Sequence, residues 1–420
     1  VCEPLPAMKR ATLDGMMRLV NFHLGGSLYT VPAVALAGGT LQMVLLLGAC
    51  ALLTQLVYEN LADVAVKRQT GSLCRIVSSV LGRGAALFLR VLIVLNALGV
   101  VVAYIQATRD IYEGVARSSV ASQPFVLFVF TVAAGCAVVP ILDRVCPETA
   151  DWGSLMANVA LLALLGALFW LPAGGGHGGK PGGAAPLPEP RPFWDMAVSF
   201  GPSLVFAFSS AEYVLLACGV CDSNGALLRG AAVHSQVRRI GAASLVTSFS
   251  LYAAVGYGGL RAFGAGVQDD VLKNFSLEAS GQQLTSALVL GTNAVSLLLS
   301  LPVFAEALLL YARELLQELL PPELFARFER HALGTWFVNP AHPYIGCAWT
   351  VPLASVLAYK ATGLLSIINL MSACTDYAFM FVFPGFAFCA SFPFSQYYVR
   401  WALNALLLMG ALYMGHRSFM

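Results

Sequence analysis

The chain has 420 residues, of which 58% are hydrophobic and only 11% charged, with a formal net charge of +2. Soluble globular domains carry about 25% charged residues, so apolar segments must recur along most of this chain rather than form one anchor. A near-neutral charge with no basic stripe among aromatics excludes nucleic acid as a partner.

A membrane-spanning helix needs about 20 predominantly apolar residues. In chain order, about eleven candidate spans occur, at 15–36, 40–64, 84–110, 123–142, 152–172, 196–220, 239–262, 282–314, 343–359, 361–388 and 398–415. The runs are continuous rather than alternating, so helices and not barrel strands must satisfy the backbone in lipid. Lys9 and Arg10 lead into a first apolar segment too long for a cleavable signal, and Val1 implies that an N-terminal tail precedes the sequence.

With the N-terminus inside, Lys67, Arg68, Arg75, Arg83, Arg238, Arg239, Arg313 and Arg400 fall on the inner side, and positive charge there exceeds that outside roughly two to one. The sequon Asn274-Phe275-Ser276 then falls in an outer loop, where Asn274 is a glycosylation candidate. The Gly/Pro-rich stretch from Ala173 to Pro192 reads as a flexible linker between two halves. Residues 1–172 hold five spans, 193–390 hold five more, and 391–420 hold the eleventh. Halves with odd numbers of spans have opposite topology, the layout of inverted-repeat transporters.

The chemistry concentrates in the first and sixth spans. Gly25, Gly26 and Ser27 sit mid-span with Pro32 following, and such residues weaken a helix interior. A broken helix at membrane depth is tolerated where it lines a protein cavity, and the N–H groups of its second half suit a carboxylate. Close packing of small residues is the competing explanation. In the sixth span, Ser209 and Ser210 precede Glu212 at the corresponding place in the second half. Hydroxyls bonded back to carbonyls one turn earlier would explain those serines without a site.

These segments resemble the amino acid/auxin permease family of the amino acid–polyamine–organocation transporters. Asn21, Gly25 and Pro32 fit its first-helix pattern, with Ser27 and Tyr29 in place of a glycine and a leucine. Asn96, Gly99, Tyr104 and Asp110 fit its third helix, Phe206-Ala207-Phe208 its sixth, and the stretch from Tyr252 to Gly264 the end of its seventh. Ser300-Leu301-Pro302 and Pro384 fit the eighth and tenth. The resemblance implies an all-α polytopic membrane protein of about eleven transmembrane helices: a 5+5 inverted-repeat core with helices one and six broken, plus an eleventh. It implies that backbone N–H groups at Gly25, Gly26 and Ser27 hold an amino acid's carboxylate. Ser209 and Ser210 would meet its amino group, and Tyr104 would close one side.

Ionisable residues inside spans are functional candidates. Glu212, Asp376, Glu306 and His23 qualify, with structural pairing or a water-filled crevice as the plain alternative. Ser296 and Ser300 share a helix face and offer a thin oxygen pair for sodium. Titratable groups near the breaks are better represented, which favours protons over sodium as the coupling ion. No nucleophile motif, phosphate loop or metal-ligand cluster is present, and Cys218 and Cys221 form a lone CxxC. The expectation is a multi-pass amino acid transporter with no cofactor and no metal, in the plasma membrane or a vacuolar or lysosomal membrane, N-terminus cytosolic. The alternative is an amino-acid-binding sensor or scaffold of the same fold.

Overall fold

A computed structural model describes residues 5–115, 149–171, 187–221, 226–228, 232–275, 282–330, 353–354, 356–358 and 363–418. The candidate span at 123–142, and most of that at 343–359, lie outside the described residues. The helices are α1 (Leu5–His23), α2 (Ser27–Arg68), α3 (Leu73–Leu81), α4 (Arg83–Val115), α5 (Thr149–Trp170), α6 (Phe193–Phe206) and the short α7 (Val214–Ala217). After these come α8 (Val233–Phe263), α9 (Gln283–Leu319), α10 (Pro322–Arg330), α11 (Leu364–Met371), α12 (Phe383–Ser391) and α13 (Phe394–Ser418). A π-helical stretch, Ser372–Val382, joins α11 to α12. The described residues contain no strand beyond an isolated bridge between Cys221 and Leu227.

Among the described residues, four helical stretches are long and apolar enough to cross a membrane: Ser27–Arg68, Arg83–Ile111, Val233–Gly266 and Leu364–Ser391. The first contains the end of the expected span at 15–36 and all of that at 40–64. They meet at Gly39, whose φ of 77° and ψ of 161° interrupt the helix.

The main internal contact runs between α2 and α8. Its closeness depends on glycine. A Cβ at Gly259 would lie 2.6 Å from the Pro32 ring, and one at Gly256 would meet Val31 at 2.8 Å. Small residues let backbones approach where lipid supplies no hydrophobic drive between helices. α9 packs on α4 and α5, and α1 lies along α8. α13 is pinned by polar groups instead. Asn404 accepts from Asn60 at 2.9 Å, and Arg400 donates to Asn60 and Asp63 of α2. Buried polar groups of this kind are fully worthwhile only when paired, and pairing fixes the register of the helix that carries them.

Between α8 and α9 the chain makes two 3₁₀ turns, Gly264–Gly266 and Val271–Asn274. Asn274 is 3% exposed, accepts from the Gln268 N–H and donates to the Gly266 carbonyl. A glycan at this sequon requires the loop to open first.

Candidate functional site

Both expected breaks are present. α1 stops at His23, and α2 starts at Ser27 after a bend through Leu24, Gly25 and Gly26. Leu28 and Tyr29 donate to the carbonyls of Gly25 and Gly26. Among the described residues, Gly26 and Ser27 donate no backbone bond outside regular helix, so the start of α2 presents N–H groups and the positive end of its dipole. The second break runs from Ala207 to Tyr213, between α6 and α7. Its turns are closed by Phe208 N–H on Val205, Ser209 N–H on Phe206 and Tyr213 N–H on Ser210.

A cavity of about 480 Å³ lies at the first break. Gly25, Gly26, Tyr104, Ser296 and Ser300, all expected from sequence, line it. The two glycines differ. A Cβ at Gly25 would meet only the Phe206 ring at 3.9 Å, whereas one at Gly26 would face Ile368 at 3.5 Å, Leu364 and Ala103. Gly25 therefore borders open space and Gly26 borders packed side chains. Tyr104 stacks on Phe304 with centroids 4.8 Å apart, and Phe22 on Tyr213 at 4.4 Å, forming aromatic walls.

The cavity reaches the exposed Arg18 on α1. At its far end Tyr29 donates to Asn293 at 2.8 Å, and both residues line it. Asn293 and Tyr213 were not anticipated. Asn293 had a signal, because it stands three and seven residues before Ser296 and Ser300 and so shares their face of α9.

The other candidates are placed differently. Ser27 is buried and bonded to the Tyr252 hydroxyl at 2.8 Å; Tyr252 donates to the His23 carbonyl at 2.6 Å. His23 is 2% exposed, with Nδ1 at Ser248 and Nε2 shared between Tyr58 and Ser210. Ser210 also touches Tyr58. These contacts tie both breaks to α2 and α8, and none of His23, Ser27 or Ser210 lines the cavity. Ser209 is half-buried and donates to Asp376 Oδ1 at 2.7 Å. Asp376 is fully buried within the π-helical stretch.

Glu212 faces a second cavity of about 460 Å³ with Arg75, Arg90, Glu314 and Tyr311. Tyr213 and Ala307 border both cavities, and the Tyr213 and Tyr311 hydroxyls are in contact between them. Arg90 pairs with Glu314 at 3.0 Å and Glu318 at 3.1 Å on one face of α9. The side chain of Glu306 lies outside the described residues.

The sequence from residue 12 to residue 417 matches the family described as transmembrane amino acid transporter protein. The chain belongs to this family. Comparison with curated proteins returns no match. For this amino acid transporter, family and apolar helices agree on an integral, multi-pass membrane protein. The transporter's two breaks are both bonded to the helices around them, and the first opens on the cavity.

Proposed function

We propose that the chain is a secondary active transporter that moves amino acids by alternating access and couples them to protons. The observation that carries this reading is the cavity at the first break. Free N–H groups at Gly26 and Ser27 suit the substrate carboxylate, Gly25 leaves room for its approach, and Tyr104 forms a wall. The break at Ser209 and Ser210 supplies carbonyls for the amino group once its hydroxyl contacts rearrange. In the proposed organisation, residues 1–172 and 193–390 are inverted halves, with the N-terminus cytosolic. The cavity then opens toward the inner side at Arg18 and is shut on the outer side at Tyr29 and Asn293.

Two carboxylates support protons over sodium. Asp376 is dry and held by Ser209, while Glu212 reaches the second, inner cavity. Protonation removes the cost of an isolated buried charge during closure. Ser296 and Ser300 do line the substrate cavity, which keeps sodium coupling as the competing reading.

Uptake into proteoliposomes at fixed membrane potential tests the proposal. Accumulation driven by an inward proton gradient without sodium is expected, and Glu212→Gln should lose it while keeping substrate exchange. Strict dependence on sodium would defeat proton coupling. Binding with no flux in any gradient would favour the sensor reading.

A further inference from the structure

The loop between α8 and α9 holds a charge arrangement that the substrate cavity does not use. Asp270 is fully buried and Asp110, near the end of α4, is 1% exposed. Asp270 Oδ1 accepts the Leu272 N–H at 2.8 Å, and Asp110 Oδ1 accepts from Gln106 at 3.0 Å. Asp270 Oδ2 is buried with no hydrogen-bond partner, α4 packs against the turn that follows it, and the Asp270 carboxyl lies within interacting range of the Asp110 carboxyl. Two buried carboxylates this near to each other repel when both are ionised, and only a proton on one of them gives the pair a hydrogen to donate.

The surrounding charges do not remove the conflict. Lys273 stands 3.5 Å from Asp110 and 3.0 Å from Asp269, so one ammonium faces three carboxylates. Arg109 adjoins Asp110 on α4, and α2 contributes the Tyr29 phenol, which interacts with Asp270. Burial opposes the charge on Lys273, but Asp110 and Asp269 keep it above its ordinary value. Burial, reinforced by Asp110, raises the Asp270 carboxyl well above the usual carboxylate range.

We propose that Asp110 and Asp270 form a proton-binding pair, sharing one proton, that latches the outer side of the transporter shut. One protonated carboxyl donates to the other. The bond ties the loop to α4, on the side of the cavity where Tyr29 meets Asn293. When the proton leaves, two buried carboxylates repel and the loop detaches. The role in transport rests on the alternating-access reading above; the latch itself does not.

The sign follows from linkage. The closed form binds the proton at a raised pKa; the open form exposes carboxylates of ordinary value, about 4. Between those limits, falling outer pH favours the closed loop, by at most about tenfold per pH unit for one proton. Above the raised value, or below the ordinary one, the preference is flat.

Hydrogen exchange of the purified, substrate-free protein, corrected for intrinsic rates, tests this without reference to transport. Amides at Leu272, Lys273 and Phe275, bonded within the loop, are the reporters. Their protection should rise as pH falls from about 8 to about 5, a range above the ordinary carboxylate pKa. Asp270→Asn can donate to Asp110 without a shared proton, so its loop should stay protected at every pH. Asp110→Asn should do the same and serves if the first variant fails to fold. A flat wild-type profile overturns the proposal. So does an unchanged pH response in either variant, or an equal response in α3, which would report general loosening.

Discussion

Gly25 and Gly26 are adjacent, yet they have different work. Gly25 borders the cavity, and Gly26 is boxed in by Ile368, Leu364 and Ala103. Gly25→Leu should put a side chain into the proposed substrate cavity and reduce uptake at least about tenfold, equal to about 1.4 kcal/mol of binding. Gly26→Ala meets its nearest neighbour at an ordinary 3.5 Å and should leave KM unchanged. Gly26→Leu should act through displaced packing instead, read as a lowered Tm. Sequence identified the pair as a weak point in a helix but could not tell the two apart, because the difference lies in side chains more than 70 residues away. The same limit applies to His23. Its position beside the break is legible; its enclosure by Ser248, Tyr58 and Ser210 is not. Tyr252 bonds both Ser27 and the His23 carbonyl; Tyr252→Phe leaves the buried Ser27 hydroxyl short of a partner, while the His23 carbonyl keeps the Gly25 N–H. That should cost about 1–3 kcal/mol of stability for the group left unsatisfied, visible as a lower Tm.

At the scale of elements, the breaks were the most legible features, since glycine, proline and serine in an apolar run weaken a helix by their own chemistry. Gly39 is a break that the span limits alone marked. It separates two expected spans, and its φ and ψ fall where side chains other than hydrogen are strained. Gly39→Ala should destabilise the protein by about 1–3 kcal/mol from backbone strain alone, since open space surrounds the site. Thermal melts should register it, with KM unchanged in the folded fraction. The π-helical stretch Ser372–Val382 left no comparable mark in sequence. It contains no glycine or proline, and its register is imposed from outside. Asn369 accepts from the Ser203 N–H and donates to the Ser199 carbonyl, strapping α11 to α6, while Thr375 donates to Asn96 on α4. Such stretches occur often at functional positions, and this one aims Asp376 at Ser209.

At the scale of the whole molecule, the two cavities are stacked compartments with one partition. In the proposed orientation substrate lies above and the inner vestibule below, with Tyr213 and Ala307 common to both. The hydroxyl contact between Tyr213 and Tyr311 joins α9 to the second break, so the partition can part only if these elements separate. Glu212 precedes Tyr213 and interacts with Tyr311, which puts the proposed coupling carboxylate at the partition rather than in the substrate cavity. Tyr311→Phe removes the hydroxyl contact and keeps the ring. The lost bond is worth about 0.5–1.5 kcal/mol, so if parting limits release, substrate exchange should quicken by up to about tenfold. Counterflow of labelled amino acid at saturating substrate measures that step apart from the proton gradient. Faster exchange with gradient-driven uptake retained would identify the tyrosine pair as the partition and leave coupling to Glu212. Unchanged exchange would remove the pair from the release path and shift that role to the ion pairs of Arg90 with Glu314 and Glu318, which close the same end between α4 and α9.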